Sequence, residues 1–91
     1  HDIQQHQVTV RGQSVELTKK EFDLLHHLLE NKNRVLSREA LLDAVWGFDY
    51  FGDARTVDTH VKALREHLGP YRALIETVWG VGYKFESQKE N

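Results

Sequence analysis

The sequence predicts an α+β domain with antiparallel strands at the N-terminus, a three-helix core and a C-terminal β-hairpin. Three observations carry this prediction. Alternating apolar residues (Val8, Val10, then Val15 and Leu17) precede any helical pattern. Apolar residues then recur at helical spacing in three successive segments, two of them opened by a Thr or Ser. Glycines punctuate the last third, at Gly69-Pro70 and Gly80-Val81-Gly82.

The alternating residues on either side of Arg11-Gly12-Gln13 read as a short hairpin turning near Gly12. At the first helix, Thr18 can cap the amide of Glu21 while the Glu21 side chain reaches back, which is a capping box. Leu17 and Phe22 stand where a hydrophobic staple would close. Phe22, Leu25, Leu28 and Leu29 follow at helical spacing, and the pattern fades near Asn31 to Asn33. Ser37 caps the second helix, with Leu36 and Leu41 as its staple pair. Leu41, Leu42, Val45 and Trp46 give its apolar face, and Gly47 stops it. After the loop Phe48-Asp49-Tyr50-Phe51-Gly52-Asp53-Ala54, Asp53 is placed to cap a third helix that ends at Gly69-Pro70. Leu74 to Trp79 and Tyr83 to Glu86 then form a hairpin about the glycines.

Ninety-one residues make one domain at most. The expected limits are a chain edge or linker over 1–5, the domain over 6–86 and a tail over 87–91. The absence of methionine, even at position 1, reads as a piece of something longer. Without cysteine there is no disulfide or thiolate metal site, and a reducing cytoplasm is the expected compartment. No apolar run approaches the ~18 residues of a membrane span, so no membrane partner is expected. Net charge is −2, which argues weakly against a polyanionic partner. Its distribution is uneven: residues 1–54 carry a net −3, whereas residues 55–85 carry five Lys/Arg against three Asp/Glu. A local basic face can bind phosphates on an acidic domain.

On a helical wheel Val57, Val61, Leu64 and Leu68 form one narrow stripe that must face the core. Arg55, Thr59, Lys62, Ala63 and Glu66 lie opposite, with Thr56 nearby and His60 on a flank. Small and donor-bearing residues on an outward face suit entry into a DNA major groove, where long side chains would hold the helix off the base edges. Taken alone, the wheel favours an ordinary solvated face on an amphipathic helix. The neighbourhood of helix, loop, helix and glycine-tipped hairpin favours DNA.

Trp46-Gly47, Arg55-Thr56-Val57-Asp58-Thr59-His60-Val61, Leu64-Arg65 and Thr77-Val78-Trp79-Gly80-Val81-Gly82-Tyr83 resemble the OmpR/PhoB-type effector domain of two-component response regulators. Leu17-Thr18-x-x-Glu21-x-x-Leu24-Leu25 and Val35-x-Ser37-Arg38-Glu39-x-Leu41-Leu42 extend the match, which runs in order from about Val8 to Phe85. The resemblance implies a winged helix-turn-helix. It implies sequence-specific binding to double-stranded promoter DNA, with helix 55–68 in the major groove and a wing over 75–86 at the minor groove. By matching position, Trp46, Arg55, His60, Lys62, Arg65 and Tyr83 would contact the sugar-phosphate backbone. Thr59, Ala63 and Thr56 would face bases, and Thr77, Trp79, Gly80 and Gly82 would form the wing. Phe48, Asp49, Tyr50, Phe51, Gly52 and Asp53 would belong to a loop, 48–54, that touches RNA polymerase. Further implied partners are a receiver domain in the parent chain, phosphorylated under a sensor kinase, and a second copy bound head to tail on direct repeats. The implied setting is the bacterial cytoplasm.

Three departures from the family stand out. Its members begin with a four-stranded sheet, and here the chain starts after or inside the first strand. Ala63 stands where some members place a base-reading arginine. Trp79 stands where many place the wing's minor-groove arginine. An indole offers one N–H and a broad apolar face in place of a charged fork. Trp79 is therefore expected either to pack along the sugar-phosphate wall or to buttress the hairpin.

Other chemistry finds no support in the sequence. Gly80-Val81-Gly82 lacks the third glycine of a dinucleotide fingerprint, and no helix follows it. The adjacent His26 and His27 point apart, and His60 and His67 have no third ligand between them, so neither metal nor cofactor is expected. Ser14, Ser37 and Ser87 have no base beside them, and the chain is not expected to be an enzyme. The loop aromatics read either as packing against the core or as a partner-binding knob. Asp58 reads as a favourable charge at a helix N-terminus. The competing functional reading is a winged helix serving as a protein–protein interaction module with weak or no DNA binding.

Overall fold

The computed structural model describes residues 7–10, 12–48, 50 and 52–86. The expected edges at 1–5 and 87–91, and loop residues Asp49 and Phe51, lie outside the described residues. The N-terminal hairpin pairs β1 (Gln7–Val10) with β2 (Gln13–Glu16), Val8 opposite Val15 and Val10 opposite Gln13. Gly12 turns it with φ 83°, a left-handed conformation that glycine adopts at no steric cost.

Helix α1 (Lys19–Glu30) opens on the expected capping box: Thr18 Oγ1 accepts from Glu21 N and Thr18 N donates to Glu21 Oε1, both at 3.2 Å. Asn31 closes it. Helix α2 (Arg38–Trp46) starts at Ser37, whose Oγ accepts from Ala40 N at 3.0 Å, and Gly47 ends it at φ 102°. Helix α3 (Arg55–Leu68) begins where Asp53 Oδ1 accepts from Arg55 N at 2.8 Å, so Asp53 supplies the capping oxygen just before the regular helix. Leu24, Leu28, Leu41, Val57, Val61 and Leu64 have no solvent exposure, and the three helices pack pairwise around them. The α3 stripe is thus the core stripe, completed by Leu68.

Two features were not legible beforehand. Gly69–Leu74 continues α3 as a 3-10 turn, with Leu74 buried, where the glycine and proline suggested a plain stop. Leu36–Ser37 forms a two-residue strand, β3, that pairs with β5 (Gly82–Phe85), which in turn pairs with β4 (Ile75–Val78). The hairpin is therefore part of a three-stranded antiparallel sheet of order β3-β5-β4, separate from the β1–β2 pair. Gly82 permits the pairing, because a Cβ there would run into the Leu36 carbonyl oxygen. The whole is a winged helix-turn-helix with β4–β5 as the wing.

Candidate nucleic-acid interface

With Val57, Val61, Leu64 and Leu68 facing inward, α3 presents Arg55, Thr59, Lys62 and Glu66 to solvent, with Thr56 and Ala63 half-buried beside them. Thr59 Oγ1 donates to Arg55 O at 3.2 Å, which folds the hydroxyl onto its own helix. Arg55 donates through Nε and Nη2 to Asp53 Oδ2, each at 3.2 Å. The Arg55 backbone amide, and then its side chain, hold the Asp53 carboxyl below its usual range.

One flank of α3 is an aromatic and cationic cluster. His60 donates from Nδ1 to Thr56 O at 2.8 Å, which leaves Nε2 facing away from that bond. Its ring meets Trp46 edge-on, centroids 4.9 Å apart. Lys20 Nζ lies 5.4 Å above the Trp46 ring and donates to Val45 O at 3.0 Å, so its charge is fixed beside the helix. Tyr50 packs at 6.4 Å from Trp46, whereas Phe48 of the same loop is 90% exposed. Of the loop aromatics described, one thus folds back and one points out. Gly52 lies against the Tyr50 ring, where a Cβ would collide with it.

The other flank is a cleft of about 520 Å³ between α2, α3 and the wing, lined by Arg38, Asp58, Arg65, Thr77, Trp79 and Tyr83 among others. At its floor Asp58 Oδ1 accepts the Tyr83 hydroxyl at 2.6 Å, and its carboxylate takes a bidentate pair from Arg38 at 2.6 and 3.2 Å. Asp58 raises the Arg38 pKa through this pair. Burial, with the Asp58 bond second, pushes the Tyr83 hydroxyl up to about 12. Arg65 turns its guanidinium back onto the wing: Nε and Nη2 donate to Ile75 O at 3.1 and 2.8 Å, and Nη2 to Thr77 Oγ1 at 2.7 Å. It also lies 5.5 Å from the Tyr83 ring, and burial lowers its pKa.

Beyond the cleft the wing ends in a turn closed by Val81 N to Val78 O at 3.0 Å, with Gly80 at φ 80°. Trp79 is 89% exposed at this tip, so it does not buttress the hairpin. The structure therefore gathers Thr59, Lys62, Arg55, His60 and Trp46 along α3, and Arg65, Thr77, Tyr83 and Trp79 along the wing beside it. Two cleft residues escaped the sequence reading of the site. Arg38 carried no signal beyond its place in a matched motif, and its partner Asp58 is 20 residues away. Asp58 does lie in the first turn of α3, but its carboxylate joins α2 to the wing. Among the described residues, no group of three or more His, Cys, Asp or Glu side chains could hold a metal ion.

Residues 12–85 match the family model described as "Transcriptional regulatory protein, C terminal". The chain belongs to this family. It is a family of transcriptional regulators, and the domain is not an enzyme. The chain is 52% identical over 82 residues to the transcriptional regulatory protein YclJ of Bacillus subtilis (strain 168), covering 88% of this chain and 36% of that protein. It spans little more than a third of the length of the curated relatives it matches. Among solved structures, the DNA-binding domain of Bacillus subtilis CssR superposes with TM-score 0.72 at 40% identity, over 86% of this chain and 88% of that one. The Klebsiella pneumoniae RstA DNA-binding domain, solved in complex with the RstA box, gives TM-score 0.76 at 34% identity, over 88% and 82%.

Proposed function

We propose that the chain is the sequence-specific DNA-binding output domain of a two-component response regulator. In this reading α3 lies in the major groove of promoter DNA, and the β4–β5 wing lies at the adjacent minor groove. One observation carries it: α3 shows an outward face of Arg55, Thr59, Lys62, Glu66 and half-buried Ala63, flanked by donors on both sides. Thr59, with Thr56 and Ala63, faces the base edges. His60 and Trp46 meet phosphates on one wall, Lys62 lies towards the other, where Tyr83, Arg65 and Thr77 line the cleft, and Arg55 stands at the start of the helix between them. Two similar DNA-binding domains, at 26% and 34% identity, were solved in complex with DNA, which supports DNA as the partner.

Phe48, exposed on the loop between α2 and α3, is the contact offered to RNA polymerase, within a loop spanning 48–54. The parent chain adds a receiver domain acted on by a sensor kinase, and two copies bind direct repeats head to tail in the bacterial cytoplasm. Among the described residues no helix is long and apolar enough to cross a membrane. Titrating the chain against promoter fragments at several salt concentrations tests the reading. Recognition through several phosphates gives a linear fall of log K with log salt, of slope about −0.9 per phosphate neutralised. Binding without sequence preference and without a salt slope would return the domain to a protein-interaction module.

A further inference from the structure

The Trp46–His60 flank of α3 has no permanent charge of its own. An indole carries none, and an imidazole carries one only when protonated. The cation that stands there comes from a third element. Lys20, in the first turn of α1, holds Nζ 5.4 Å from the Trp46 ring centroid and donates to Val45 O at 3.0 Å. Its place is locally unfavourable for α1, because a helix N-terminus repels positive charge. The bond to the last turn of α2 offsets this and occupies one of the three ammonium donors. Lys19, Arg38, Arg55 and Lys84 each pair with a carboxylate, whereas among the described residues no carboxylate pairs with Lys20. Lys20 is thus a held but unneutralised cation, half-buried beside the surface assigned above to DNA.

We propose that Lys20 binds a DNA phosphate, extending the wall of Trp46 and His60 onto α1. Resting on the DNA reading above, this role brings a third helix to the duplex. A backbone lying against Trp46 and His60 places phosphates within the Debye length of Lys20, ~8 Å at physiological salt, so the two charges are not screened from one another. The fold already fixes Nζ, so a phosphate need not order this side chain on binding. Lysine meets phosphate as a point charge and not as a fork. It therefore adds affinity and register but no choice of base. A lysine that only closed the end of α2 would support Trp46 without meeting DNA, and charge separates the two roles.

The test is a set of anisotropy titrations of the 91-residue chain on labelled duplexes that the wild-type chain selects from a random library. Salt runs from about 50 to about 200 mM. Lys20→Gln keeps a donor for Val45 O and drops the charge, Lys20→Met keeps only the stem, and Lys20→Arg keeps the charge. Thermal melts check that each is folded. Lys20→Gln and Lys20→Met are expected to flatten the slope of log K against log salt by about 0.9. Their affinity deficit then shrinks about 3.5-fold across that range, on every duplex alike. Lys20→Arg keeps the wild-type slope. Replacing single backbone phosphates with uncharged methylphosphonates locates the contact: one replacement weakens wild type and Lys20→Arg but not the two neutral variants. An unchanged slope in both neutral variants overturns the role of Lys20 alone. So does a loss of affinity at wild-type slope with no phosphate coupled to Lys20. Failure of the wild-type chain to enrich any duplex or show any slope overturns the DNA reading, and Lys20's role with it.

Discussion

At the residue scale the Asp58 carboxylate receives Arg38 from the first turn of α2 and Tyr83 from β5 while belonging to α3. Tyr83 makes this junction measurable. Its folded-state pKa, about 12, stands above the ordinary 10. Below pH 10 the phenol keeps its proton in both states, so its contribution to stability is fully present. Between about pH 10 and 12 the unfolded chain releases the proton while the folded chain holds it, and stability falls. Tyr83→Phe should therefore make the alkaline loss of stability shallower in urea titrations, and should remove the phenolate absorbance step near pH 12. On the outer face of α3, Lys62→Ala should weaken binding to all duplexes alike and flatten the salt slope by about one unit. Substitutions at Thr59 should instead change the preferred base. An unchanged salt dependence for Lys62→Ala would refute the placement of α3 in the groove.

At the element scale the most legible features were those written within a few residues. The Thr18–Glu21 box and the Ser37 cap are local, and both form as the sequence indicates. Glu21 does more than capping: it is buried, and its Oε1 also takes His67 Nδ1 at 2.7 Å, tying the start of α1 to the end of α3. Thr18→Ala should cost about 1 kcal/mol in urea denaturation, the ordinary loss of an N-cap. Glu21→Ala should cost more, because it removes the reciprocal bond from Thr18 N and the His67 partner together. What could not be read was the register between distant elements. A two-residue strand such as β3 carries no alternation, and its partner Gly82 lies 45 positions beyond Ser37. Arg65 posed a related difficulty. The wheel sets it beside the outer face, but its long side chain doubles back to Ile75 and Thr77. Gly82→Ala tests the concealed pairing: driving a Cβ into the Leu36 carbonyl should cost ~1–3 kcal/mol and be visible as a lowered Tm.

At the scale of the whole molecule the core is one contiguous cluster, drawing on the three helices, β4, β5 and the residues just before α1 and β4. Leu64 sits at its centre without exposure, and Leu64→Ala should cost ~2–5 kcal/mol in denaturant unfolding. That is a large share of the ~5–15 kcal/mol that a domain of ordinary stability possesses. Periodicity made this core readable, since burial follows the 3.6-residue repeat wherever a helix is long enough to show one. The net charge of −2 was a poor guide to the interface, because it averages an acidic first half with the donors around α3.

The three-stranded sheet has one more consequence. Because β3 grips β5 at Gly82 and Arg65 grips β4 at Thr77, the folded state is indifferent to what stands at 79 and 81. The tip is an exchangeable fitting on a fixed mount: one scaffold can present an indole, a guanidinium or a bare turn at the same point in space. Exchanging residues 79 and 81, with Gly80 kept, would change the chemistry of the tip while leaving thermal stability where it was.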